Sequence, residues 1–217
     1  MPPPPLEAAI WTELEQSGLA RRRIDGDPQV AMGVDRWAVS REEAWLSITD
    51  DKPSEPVKGV TELVLAGRWS SEKLLYQYLD LPWPLQDRHW AIRLRGNAAL
   101  AEKSGVWERH WKLDEAGMEL ARPKMGERYA EALMTPVNEG DWLLLSLGAR
   151  DTLVIYQTRA SLGGGVPDSA VEGWAFSGIA EVMEKMEKNA LRMRTFYSGS
   201  CDVQPGADGR PIPCFGS

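Results

Sequence analysis

An aspartate and an arginine stand side by side at positions 87 and 88, after the stretch Leu81-Pro82-Trp83-Pro84-Leu85-Gln86. An acid beside a guanidinium is raw material for proton transfer or anion recognition. On a strand, however, adjacent side chains point to opposite faces, so Asp87 and Arg88 cannot act on one substrate atom. The pair reads instead as the anchor of the proline corner, through hydrogen bonds and local ion pairing. Two histidines exist, His89 and His110, each on a predicted strand. Neither a Gly-x-Ser-x-Gly elbow nor a His-Glu-x-x-His pair occurs, so two common routes to hydrolysis lack their signatures. Gly163-Gly164-Gly165 follows a predicted strand without the lysine and hydroxyl of a phosphate loop, and reads as a hinge before a helix. No catalytic residue, metal site or cofactor is assigned.

Other positions carry recognition rather than reaction. Alternation along residues 88–95 places Trp90, Ile92 and Leu94 on one strand face, either as ordinary core or as the lining of a ligand space. In 107–113, Trp107 and Trp111 share a face with Arg109, which either holds a ligand carboxylate or phosphate among the rings or packs as a snorkelling cation. Trp142 and Leu144 form one face of a later strand, and Tyr156 offers a hydroxyl on the last. Tyr76 and Tyr78 are further hydroxyl-bearing candidates.

These positions need elements to hold them. Helical spacing over 8–16 ends at Gly18, and two short strands, 19–24 and 29–37, flank the turn Asp25-Gly26-Asp27-Pro28. Ser40-Arg41-Glu42-Glu43 is a capping box that opens a short helix ending near Thr49. Lys52-Pro53-Ser54-Glu55-Pro56 is a loop. The apolar period then falls to two over 61–69, 72–79, 88–95, 105–113, 128–137, 141–147 and 152–160, which predicts an antiparallel meander. Turns are expected at Asn138-Glu139-Gly140 and at 148–151. From about 167 to 193, Val171, Trp174, Ile179, Met183 and Met186 follow helical spacing and give a long amphipathic helix. Gly173 and Gly178 within it suggest close packing or a hinge. Residues 195–217 carry too little apolar content to pack as an element of their own.

Composition narrows the partners. Lys and Arg number 25 against 32 Asp and Glu, net −7, which disfavours nucleic acid and strongly anionic surfaces; Arg21-Arg22-Arg23 is the one obvious basic patch. No apolar run reaches the length of a membrane span, and Met1-Pro2-Pro3-Pro4-Pro5 lacks the character of a signal peptide, so a cytoplasmic location is expected. Cys201 and Cys214 are then expected as free thiols. Ten tryptophans, against five tyrosines and three phenylalanines, imply broad apolar surfaces to fill or line.

Three blocks together resemble the START family (steroidogenic-acute-regulatory-protein-related lipid transfer). They are Pro82-Trp83-Pro84-Leu85 with Asp87-Arg88, Pro136-Val137-Asn138-Glu139-Gly140-Asp141-Trp142, and Gly163 to Pro167 with the helix that follows. The resemblance implies an α+β helix-grip fold, in which a curved antiparallel sheet wraps a long C-terminal helix, with a lipid-binding domain over 1–194 and a polar tail over 195–217. It implies binding or transfer of a lipid or other hydrophobic small molecule in a cavity between sheet and helix. The lining would be Tyr76, Tyr78, Trp90, Ile92, Leu94, Trp107, Arg109, Trp111, Trp142, Leu144, Tyr156, Trp174, Ile179, Met183 and Met186. Transient contact with a membrane surface follows from such a task. Related helix-grip proteins include polyketide cyclases, so an enzyme using the same cavity is the alternative. Sterol-binding members carry a buried arginine where this chain has Ile92 or Leu94, a departure that argues against sterol recognition through an ion pair there.

Overall fold

Helix α1 (Ala8–Ser17) stops where Gly18 turns left-handed at φ 77° and returns its N–H to the Leu14 carbonyl. Strands β1 (Leu19–Ile24) and β2 (Val30–Trp37) pair as the expected hairpin, in register from Leu19 with Asp35 to Ile24 with Val30. Helix α2 (Arg41–Thr49) starts on the capping box: the Glu43 N–H donates to Ser40 Oγ at 3.2 Å and the Ser40 N–H to Glu43 Oε2 at 2.8 Å. The structure, a computed structural model, describes residues 6–50, 59–67, 72–199, 205–212 and 214–215. The loop expected at 52–56 lies outside these residues.

Strands β3 (Val60–Ala66), β4 (Glu72–Leu79), β5 (Arg88–Gly96) and β6 (Trp107–Leu113) form the meander, with a short helix α3 (Ala98–Ser104) between β5 and β6. The strand expected at 128–137 is not one. Helix α4 (Glu115–Glu131) runs through its start, a two-residue β7 (Leu133–Met134) pairs parallel with β5, and β8 (Val137–Gly148) takes its end. Asp114 caps α4, accepting the Gly117 N–H at 2.8 Å, and the helix kinks at Gly126, where φ is 55° and ψ −140°. Nor is there a turn at Asn138, Glu139 and Gly140, all of which lie within β8. Gly140 is a glycine because the Trp111 ring and the Gln157 carbonyl leave no room for a Cβ. The turn into β9 (Asp151–Ser161) falls where expected.

The strand order is β1-β2-β9-β8-β6-β5-β4-β3, antiparallel throughout this path. Helix α5 (Asp168–Phe196) lies on one face, here the inner one, against β2, β9 and α2. The close approach that seats it is at Gly33 of β2, where an added Cβ would stand 2.5 Å from Ile179 Cγ2. Gly173 and Gly178 of the helix meet nothing comparable, so the close packing expected there belongs to the sheet instead. Glu43 accepts from Arg194 Nε at 3.0 Å and ties α2 to the far end of α5. The outer face is covered by α1 over β1 and β2, by α3 beside β6 and by α4 over β4 and β5.

Two expectations about the C-terminus are corrected. Ala207, Ile212 and Phe215 are buried in the main core, Pro205 accepts the Trp45 indole N–H at 2.9 Å, and Gly206 abuts the Trp107 ring. Three small contacts and a backbone carbonyl suffice to dock a segment whose composition reads as polar. Cys214 is disulfide-bonded rather than free, and Cys201 is the only other cysteine of the chain.

Candidate functional site

Side chains of alternate parity on β4, β5, β6, β8 and β9 build the inner wall. Trp90 and Ile92 of β5, Trp107 and Trp111 of β6, Trp142 and Leu144 of β8, and Ile179 and Met183 of α5 are buried in one apolar cluster. Leu94, Tyr156 and Met186 face the same cluster while keeping partial exposure. Twelve of the expected lining residues therefore come together once Arg109 is counted: it shares the strand face of Trp107 and Trp111 and is 1% exposed. The inward reading of this arginine is the one the structure adopts.

Three do not join them. Tyr76 and Tyr78 point to the outer face, where they pack with Ala91, Met118 and Ala121 beneath α4. Tyr76 shares a hydrogen bond with His89 Nδ1 at 3.1 Å, and Tyr129 of α4 packs on both rings. The Tyr78 hydroxyl donates to Asp87. Strand β4 is apolar on both faces, so alternation could not tell which parity turns inward. Trp174 is 59% exposed, on the flank of α5 turned away from the sheet. The apolar stripe of this helix is wider than the surface it covers.

Other residues complete the wall. Leu75 and Leu79 of β4, Trp37 of β2 and Trp45 of α2 belong to the same cluster. Gln77 and Asn138 fix two of the indoles: Trp90 Nε1 donates to Gln77 Oε1 at 2.7 Å and Trp111 Nε1 to Asn138 Oδ1 at 3.0 Å. A tryptophan has a single N–H, so these two present only their ring faces to a neighbour. Trp111 and Trp142 both pack against Tyr156, with ring centroids 5.8 and 4.5 Å away, and Trp37 follows Trp142 at 6.2 Å. The result is a continuous aromatic run across β6, β9, β8 and β2.

Burial pushes the Tyr156 hydroxyl up to about 12, so it keeps its proton at neutral pH and serves as a donor, not a base. Both histidines lie on the outer face, opposite the wall. Among the described residues no three His, Cys, Asp or Glu side chains are grouped to hold a metal ion.

Arg88 is also 1% exposed, and its bonds define the end of the wall. Nε donates to the Leu162 carbonyl at 2.6 Å and Nη2 to that of Gly163 at 3.0 Å, while Nη1 reaches the carbonyls of Gln86 and Asp87. Asp87 accepts the Leu81 N–H at 2.8 Å. The proline corner is thus closed on itself by Asp87 and strapped by Arg88 to Leu162 and Gly163, where the run of three left-handed glycines, Gly163, Gly164 and Gly165, begins.

Solved structures share this fold. Human STARD10 superposes with a TM-score of 0.62 at 14% identity, over 83% of this chain and 72% of that one. A STAR-related lipid transfer protein from Xanthomonas axonopodis matches with a TM-score of 0.58 at 17% identity, over 81% and 94%. The lipid transfer and protein localization domain of human StarD13 matches at 0.50 and 11%, over 88% and 98%. The chain has the START helix-grip fold. No protein-family model matches its sequence, and no curated protein matches it either. At these identities the likeness to START structures is one of architecture, and the site rests on this chain's own residues.

Proposed function

We propose that this START-fold protein binds or transfers a lipid or another hydrophobic small molecule between the inner face of its sheet and α5. The observation that carries the reading is the inner wall itself, where Trp90 and Trp111 spend their N–H groups on Gln77 and Asn138 and leave apolar ring faces in the main apolar cluster. The Xanthomonas structure is that of a STAR-related lipid transfer protein, which favours the same class of ligand. Methylene burial is worth about 0.8 kcal/mol per group, so an acyl chain has strong reason to enter such a wall rather than stay in water.

Helix α5 is the cover in this reading, moving about Gly164 and Gly165 beyond the Arg88 strap. Contact with membranes would come through the proline corner, where Trp83 is 93% exposed and Leu85 is also exposed. An indole held out on a stiff loop suits a water–lipid interface. Arg109 is the inward cation for an acidic head group. The Cys214 disulfide fits an oxidising compartment better than the cytoplasm, where it would be reduced.

Titration with NBD-labelled stearate and NBD-labelled phosphatidylcholine tests the binding. Tryptophan emission should fall by energy transfer to the dye, and Leu144→Arg, which puts a charge into the wall, should abolish the effect. Unchanged emission with both probes in the wild-type chain would overturn the reading.

A further inference from the structure

Arg21 and Arg23 stand two apart on β1, so their side chains leave the same face of the strand. Both guanidinium groups lie over one ring, that of Phe176 in α5, with centroid distances of 5.0 and 4.8 Å. Arg21 also donates Nη1 to the Phe176 carbonyl at 3.5 Å. Among the described residues neither guanidinium has a carboxylate partner. Glu13 is taken by the Arg22 guanidinium at 2.5 Å and the Arg21 backbone N–H at 3.3 Å, and Glu172 by the Gln29 backbone N–H at 3.0 Å. In a chain of net −7, where Arg22, Arg36, Arg93 and Arg159 each hold a carboxylate, these two neighbouring cations share an aromatic ring instead.

We propose that Arg21 and Arg23 are a latch that holds the N-terminal part of α5 closed in water and releases it at a membrane bearing anionic, phosphate-containing head groups. The inference rests on the reading of α5 as the cover of a ligand site. A cation over a ring is a weak contact at an exposed site, whereas arginine and phosphate form charge-assisted, often bidentate hydrogen bonds. Two like charges side by side gain further from an anion between them. Head groups that capture the guanidiniums remove the cation–ring contacts at Phe176 and leave only its packing against the main apolar cluster, so membrane arrival loosens this part of the cover. Trp174, two residues before Phe176 and 59% exposed, is an amphipathic side chain of the kind that settles at a lipid interface. Because the attraction is Coulombic at a surface, release must weaken as salt rises.

Hydrogen exchange over residues 168–183 of the full chain tests the latch, with phosphatidylcholine vesicles, the same vesicles containing phosphatidylserine, and soluble glycerophosphoserine. Phosphatidylserine should speed wild-type exchange about tenfold over phosphatidylcholine alone, the scale of two exposed cation–ring contacts. Arg21→Gln/Arg23→Gln should exchange fast already in buffer and respond equally to both vesicles. Phe176→Leu, which keeps apolar packing but removes the ring, should do the same. Equal wild-type exchange on both vesicles overturns the latch, as does a phosphatidylserine response retained by the double variant. An equal effect of glycerophosphoserine overturns the membrane as its source. Binding of NBD-labelled stearate without vesicles tells the two readings apart: with a failed latch, retained binding leaves the ligand site standing, and lost binding removes both.

Discussion

Arg88 Nη2 donates to the Gly163 carbonyl at 3.0 Å, so the first residue of β5 holds the entry to the terminal helix. The same guanidinium reaches back to Gln86. One side chain therefore sets the distance between the proline corner and the glycine run, and burial lowers its proton affinity without a carboxylate in contact.

Arg88→Ala is expected to destabilise the fold by about 1–3 kcal/mol, the usual loss when hydrogen bonds to a buried charged group are removed. Chemical denaturation measures it. Arg88→Lys should recover little, since one ammonium cannot span carbonyls on both sides. Unchanged stability with lost binding of NBD-labelled stearate would make Arg88 a ligand contact instead of a strap.

Gly33→Ala should cost about 1–3 kcal/mol, because its Cβ would stand 2.5 Å from Ile179 Cγ2 and lift α5 from β2. Ile179→Ala made in that background should be milder than Ile179→Ala alone, a coupling that a double-mutant cycle reads directly. Simple additivity would show that α5 is not seated at this point.

His89 and His110 both titrate below the ordinary histidine value of 6.5, chiefly because burial disfavours the charged ring. The unfolded chain takes up these protons first. Their contribution to stability is therefore complete above 6.5 and is lost as pH falls through and below that value. Asp35, Asp141 and Glu187, raised by burial, act in the opposite sense at lower pH. His89→Gln, which keeps a partner for the Tyr76 hydroxyl, should flatten the loss in urea midpoint between neutral pH and about pH 5.5. An unaltered slope would remove His89 from the acid sensitivity of the fold.

Where one face of an element was apolar and its ends carried chemical stops, the sequence was sufficient: Gly18 ends α1, Ser40 and Glu43 open α2, and the spacing of Val171, Ile179 and Met183 defines α5. Helix α4 was not legible, because Gly117, Pro123 and Gly126 all speak against a helix locally. Gly117 is in fact required, since its Cβ would press on Ala91 and Leu74, and Gly126 marks a kink. The wall was legible on β5, β6 and β8, where parity separates tryptophan from charge. It failed on β4, whose Leu75 and Leu79 alternate with equally apolar Tyr76 and Tyr78. Gln77 and Asn138 carried no signal at all, for an amide that caps an indole is defined only by the strand beside it.

Native mass spectrometry of the freshly purified protein, beside its denatured mass, tests the central claim most directly. The account predicts a non-covalent adduct with the mass of a lipid or similar apolar molecule, absent after denaturation and absent from Leu144→Arg. Bare protein at both masses, with no adduct after incubation with fatty acid, phospholipid or sterol, would contradict it.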